Sequence, residues 1–128
     1  MSDLCDKTAV ELRRLIGRKD VSPVELLHSC IARIEATDSA LNAVVTRSFD
    51  RACEEAINAE KAVLNGEELG LLHGLPVGIK DLEATDGIRT TLGSQLYADH
   101  VPNKDQGSVA NIRAEGGIII GKTNTPEF

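Results

Sequence analysis

Two short apolar runs constrain this chain more than any other feature. One is Leu75-Pro-Val-Gly-Ile-Lys-Asp81, bounded by Gly74 and ending in two charges; the other is Ile118-Ile-Ile120, framed by glycines. Runs this short and this apolar are expected of strands buried on both faces, as in sheets covered by helices. Both therefore read as central strands. Between them, residues 106–115 read as a helix capped by Asp105. The succession implies an α/β layer with a largely buried, mixed sheet flanked by helices.

The preceding part reads as helical. Thr8-Ala-Val-Glu11 forms a capping box ahead of Val10, Leu12, Leu15 and Ile16, and Gly17 sits where a helix stop belongs. Ser22-Pro-Val-Glu25 joins a second box to a proline at the first helical position, where its missing N–H costs nothing. Val24, Leu27, Ile31 and Ile34 then recur at helical spacing and mark one buried face. Residues 41–45 are expected to form a short strand. Residues 48–64 form a third helix with Ala52, Ala56, Ala59 and Val63 on one side, stopped by Asn65-Gly66. The expected organisation is one incomplete domain over 1–128, with a helical lead-in at 1–66 and the first part of the α/β core at 67–128.

Composition excludes several classes. Net charge is −6, the wrong sign for a nucleic-acid footprint, and basic residues do not cluster. The only aromatics are Phe49, Tyr97 and Phe128, so the core must be aliphatic. No apolar run approaches the length of a membrane span. The amino terminus lacks the pattern of a secretory signal, which makes cytoplasm the expected compartment. Cys5, Cys30 and Cys53 show no C-x-x-C spacing and His28, His73 and His100 are isolated, so no metal, cofactor or disulfide framework is expected. Cys30 and Cys53 read as packing residues.

Gly116-Gly-Ile-Ile-Ile-Gly-Lys-Thr123 matches the phosphate-loop pattern G-x-x-x-x-G-K-(S/T). The match is expected to be fortuitous. Its variable positions read as a strand leaving through a Gly-Lys-Thr-Asn turn, and Pro126 would disrupt the first turns of the helix that such a loop needs.

Lys80 ends the first apolar run. Alternation puts Val77, Ile79 and Asp81 on one face and Pro76, Gly78 and Lys80 on the other. A lysine there either emerges into solvent, which spacing alone favours, or is partly buried, where desolvation favours the neutral amine that can act as a general base. Gly78 leaves room beside it for a substrate or loop.

Gly70-Leu-Leu-His-Gly-Leu-Pro-Val-Gly-Ile-Lys-Asp81 resembles the start of the amidase signature region, G-x-x-x-G-x-P-x-x-(I/V)-K-D. Gly87-Ile-Arg-Thr-Thr-Leu-Gly-Ser94, the helix near Asp105 and Gly121-Lys-Thr-Asn-Thr-Pro-Glu-Phe128 follow in that family's order, and Ser22-Pro-Val-Glu-Leu-Leu27 matches its lead-in. The resemblance implies a partial amidase-signature fold and a hydrolase with a Ser–cis-Ser–Lys triad, in which Lys80 is the lysine. It implies a small-molecule amide substrate, with no cofactor, nucleic acid or membrane partner. The two serines belong to a glycine- and serine-rich segment that these residues do not contain, and Ser94 reads as a turn residue. The chain is thus expected to be an N-terminal piece, inactive by itself and prone to self-association as a homo-oligomer or aggregate. The Thr-Asn-Thr-Pro-Glu-Phe128 segment looks closer to stand-alone amidases than to the amide-hydrolysing component of a tRNA-dependent amidotransferase. A noncatalytic interaction module built on the amphipathic helices is the alternative from another class.

Overall fold

Both capping boxes form. The computed structural model describes residues 3–128, and its helix α1 (Ala9–Gly17) opens with the Glu11 amide donating to Thr8 Oγ1 at 3.1 Å. The Thr8 amide donates in return to Glu11 Oε2, also at 3.1 Å. Ser22 and Glu25 do the same for α2 (Pro23–Leu41), at 3.0 and 3.1 Å.

The helix stops differ from the sequence expectation. Gly17 is still helical; Lys19 takes the left-handed conformation, φ +65°, and the Lys19 and Asp20 amides close onto the Ile16 and Leu15 carbonyls. That is a Schellman stop two residues later than expected, with lysine in the glycine position. Helix α2 continues to Leu41 and ends at Asn42, φ +49°. The strand expected over 41–45 is accordingly displaced to β1 (Val44–Arg47). The physical reason is Asp38, whose buried carboxylate accepts from the Ala43 and Val44 amides at 2.7 and 3.1 Å and so fixes the turn after the helix.

Helix α3 (Phe49–Leu64) buries Ala52, Ala56, Ala59 and Val63 as its spacing predicts, and Gly66 at φ +71° closes it. Strand β2 (Pro76–Lys80), helix α4 (Gly107–Ala114) and strand β3 (Ile118–Thr123) complete the chain. The sheet order is β1-β3-β2, with β3 parallel to β2 and antiparallel to β1. The sheet is mixed, as expected. Strand β3 is central, but β2 lies at the edge among the described residues, where its first residue, Pro76, lacks only an N–H that an edge strand can spare.

Helices cover both sides. Alanines of α3 and Leu27 of α2 pack against Ile118 and Ile120, with Val24, Ile31 and Ile34 partly buried around them. On the opposite side Val109 and Ile112 of α4 meet Val77, Ile79, Ile88 and Ile119. A third cluster joins Leu12 and Ile16 of α1 to Leu26, Val63 and Leu75. Val10, counted in the sequence among the apolar positions of α1, is exposed. Asp105 does not cap α4. Its carboxylate accepts instead from the Asp86 amide at 2.7 Å and from Arg113 Nε at 2.9 Å, and the cap position falls to Gln106, which makes no side-chain cap bond.

Candidate functional site

A bulge decides where the charged side chains point. Val77 pairs with Ile119 but Gly78 pairs with Gly121, so β3 spends one extra residue there and its alternation shifts. Ile79 then pairs with Lys122 and Lys80 with Thr123. Lys122 therefore joins the face of Ile79 and Asp81 rather than that of Ile118 and Ile120. Lys80 joins the face of Gly78 and Thr123; a Cβ on Gly78 would lie 2.9 Å from Thr123 Cγ2, so this glycine is needed for close approach.

The buried face holds a polar knot. Lys122 is 0% exposed and donates to the Glu83 carbonyl at 2.7 Å and to Thr90 Oγ1 at 2.8 Å. Its Nζ lies 3.8 Å from Asp81 Oδ1. Asp81, 1% exposed, accepts from the Thr91 amide at 3.1 Å and from the Thr91 hydroxyl. The Thr90 hydroxyl donates in turn to the Ile88 carbonyl at 3.0 Å. Burial pushes the Lys122 ammonium down to about 8, against the opposing pull of Asp81 and Glu83. Every polar atom of this group is partnered, the condition under which a buried ion pair is tolerated.

Around the knot the loop segments close on each other. The Leu92 amide donates to the Asp81 carbonyl at 2.9 Å, the Asp81 amide to the Thr123 carbonyl at 2.9 Å, and the Phe128 amide to the Leu92 carbonyl at 2.8 Å. Gly93, φ +69°, has the Pro126 carbonyl oxygen 2.6 Å from where a Cβ would stand. Residues 70–81, 87–94 and 121–128, well separated in sequence, thus meet at the C-terminal ends of β2 and β3. In parallel sheets that end is where ligands bind. A cavity of about 260 Å³ opens beside Asp81, lined also by Arg89, Thr91, Gly93, Ser94 and Asn124.

Lys80 stands apart from this knot. It is exposed at the end of β2, and among the described residues its ammonium has no ion pair and no hydrogen bond. Ser94 is buried and accepts from the Leu96 amide at 3.3 Å, capping the short turn Gln95–Tyr97. That is a turn residue's work, as its sequence position suggests. The residues matching the phosphate-loop pattern form β3 itself, which runs through Lys122 to Thr123 instead of turning at Gly121. The lysine of that pattern points inward.

The Amidase family profile matches residues 25–128. The chain belongs to the amidase family. A glutamyl-tRNA(Gln) amidotransferase polypeptide of Geotalea daltonii is 38% identical over 98% of this chain and 26% of its own length. An acylamidase of Rhodococcus erythropolis is 36% identical over 94% of this chain and 25% of its own. Among solved structures, a bacterial aryl acylamidase of the amidase signature enzymes superposes with a TM-score of 0.87 at 34% identity, covering 94% of this chain and 25% of that one. The chain spans about a quarter of the length of the curated relatives it matches. The likeness covers the helical lead-in as well as the sheet.

The sequence pattern singles out Lys80 and passes over the partners that organise its strand. Asp81, Thr90, Thr91 and Lys122 all lie in the family-like segments, but only Asp81 and Lys122 carried a further sign, as charged residues at the ends of two apolar strands. Simple alternation puts Lys122 on the face of Ile118 and Ile120; the bulge puts it on the other. Among the described residues no three His, Cys, Asp or Glu side chains converge on a point, and no helix is long and apolar enough to cross a membrane.

Proposed function

We propose that these residues supply the lysine of an amidase that hydrolyses a linear carboxylic amide to an acid and ammonia or an amine. The observation that supports this best is the placement of Lys80: it closes a segment inside the amidase family match, at the C-terminal end of a parallel strand pair, on a backbone anchored by the buried Asp81–Lys122 knot behind it. Anchoring the backbone under Lys80 fixes where its amine can reach, the geometric condition that a general base must meet.

In the proposed reaction, Lys80 as the free amine takes a proton from a serine held by a cis peptide bond. That serine deprotonates the nucleophilic serine, which attacks the amide carbonyl. The proton returns to the leaving nitrogen as the C–N bond breaks, and water then releases the acid from the acyl-enzyme. Both serines come from outside these residues, within the part of the relatives' length that this chain does not span. Ser94 is already engaged as a cap. The 128 residues by themselves therefore hydrolyse no amide.

The second reading within the family is glutamine hydrolysis within a tRNA-dependent amidotransferase, favoured by the Geotalea relative. The acylamidase and aryl acylamidase likenesses, together with Thr-Asn-Thr-Pro-Glu-Phe128, favour a stand-alone amidase. The test is ammonia and amine release by a polypeptide that joins these residues to the remainder of the relatives' length. Turnover of simple aliphatic or aromatic amides supports the first reading, and turnover of glutamine alone supports the second. A folded polypeptide that releases neither product overturns both.

A further inference from the structure

The amino-terminal turn carries chemistry unrelated to the lysine site. Residues Leu4–Asp6 form a single turn of 3-10 helix with no buried residue, laid across α2. Three side-chain contacts fix it there: Ser29 Oγ donates to Asp3 Oδ1 at 2.6 Å, and Arg33 Nη2 reaches Asp3 at 2.9 Å and Asp6 at 3.2 Å. This clamp brings two free, partly exposed thiols together. Cys5 Sγ lies 3.8 Å from Cys30 Sγ, and 3.5 Å from Ser29 Oγ. Their separation of 25 residues hides the pairing in the sequence.

We propose that Cys5 and Cys30 are a redox-active thiol pair that hydroperoxides convert to a disulfide, stapling the amino-terminal turn to α2. The proposal is independent of the amidase reading. An S–S bond is about 2.05 Å long, so the sulfurs must approach by under roughly 2 Å. The turn has no fully buried residue and is held by the surface clamp and by Leu4 at the margin of a core cluster, so it is the partner that can move. The order of events follows from the surroundings. Cys30 lies between the helix and the turn, and burial together with the neighbouring Cys5 pushes its thiol up to about 12. Cys5, on an outer turn with no buried residue, is the sulfur that a peroxide reaches first, while Cys30 packs on α2 against two apolar clusters. Its thiolate attacks the peroxide O–O bond, giving the sulfenic acid and hydroxide. The Cys30 sulfur then displaces the sulfenic oxygen, which leaves as water with the remaining thiol proton. Two thiols and one hydrogen peroxide become one disulfide and two waters.

Cys53, half-buried on α3 beside the first apolar cluster, is the internal comparison. Treat the folded chain with an equimolar amount of hydrogen peroxide, block remaining thiols and map the products by peptide mass spectrometry. The expected product is a Cys5–Cys30 bridge with Cys53 alkylated, reversed by dithiothreitol and accompanied by slower proteolysis ahead of α1. Cys5→Ser abolishes the bridge. Cys30→Ser leaves Cys5 trapped as a sulfenic acid that dimedone captures. In urea the three cysteines should pair without preference. Two results overturn the proposal: bridges in the folded chain as unselective as in urea, or Cys5 oxidised beyond sulfenic acid while Cys30 remains free.

Discussion

Lys80 and Lys122 lie near the ends of neighbouring parallel strands, one residue out of direct register, and face opposite environments. Lys80 pairs across the ladder with Thr123 and projects into solvent with no partner among the described residues. Lys122 pairs with Ile79 and is shut inside, holding Glu83, Thr90 and Asp81. The difference arises from one extra residue in β3 and from the chemistry of the loops that close over one face only. One strand pair thus buries one lysine and leaves the other exposed, and the proposed chemistry of Lys80 would rest on a backbone that Lys122 anchors.

Substitutions should separate the two. In a polypeptide completed to the relatives' length, Lys80→Ala should lower amide hydrolysis by on the order of 10³ or more, the usual loss when one member of a coupled set is removed. Its unfolding free energy should stay within about 0.5 kcal/mol of the parent, because the side chain is exposed. A comparable loss of stability would erase the comparison.

Lys122→Ala should do the reverse on stability. It strands the Asp81 carboxylate and removes the donor to Glu83 and Thr90, a loss of about 3–5 kcal/mol in chemical denaturation. Lys122→Met, which keeps the packed stem, should cost less. An Ala variant as stable as the parent would mean that the knot is ornamental.

The pH dependence sharpens the point. The Lys122 value in the fold, about 8, is below the ordinary 10.5, so between these values the unfolded chain binds more protons. The contribution of this group to stability therefore rises with pH across that window, and below about 8 its penalty is constant. Stability curves of the parent and of Lys122→Met should diverge there by about 3 kcal/mol, and run parallel at lower pH. Parallel curves throughout would remove the buried ammonium from the account.

The smallest effect belongs to the helical lead-in. Ser22→Ala removes one reciprocal cap and should cost about 1 kcal/mol in thermal or chemical denaturation, with no influence on the lysines.

The contrast between lead-in and strand ends also explains what could be read from sequence. Capping boxes at Thr8 and Ser22 and the alanine stripe of α3 are local patterns, and they fold as read; both apolar runs form strands, but of the two read as central only β3 is. Errors fall where a side chain or backbone group finds another partner than the one its pattern implies. Asp105 is drawn from its expected cap by Asp86 and Arg113. Asp38 fixes the turn that lets α2 run past the expected start of β1. At the site, the proposal for Lys80 could be made from sequence because its motif is contiguous. Thr90, Thr91 and Lys122 were not legible, because a bulge and two crossing loops bring them to Asp81, and no spacing rule encodes that. The Cys5–Cys30 approach was hidden for the same reason.

The most direct test of this contrast is competitive acylation of lysine amines in the folded chain, resolved residue by residue. Lys80 should react at the rate of an exposed surface lysine. Lys122 should react only as fast as the chain unfolds, and equalise with Lys80 in urea. Rapid labelling of Lys122 in the folded chain, or protection of Lys80, would contradict the division of work between them.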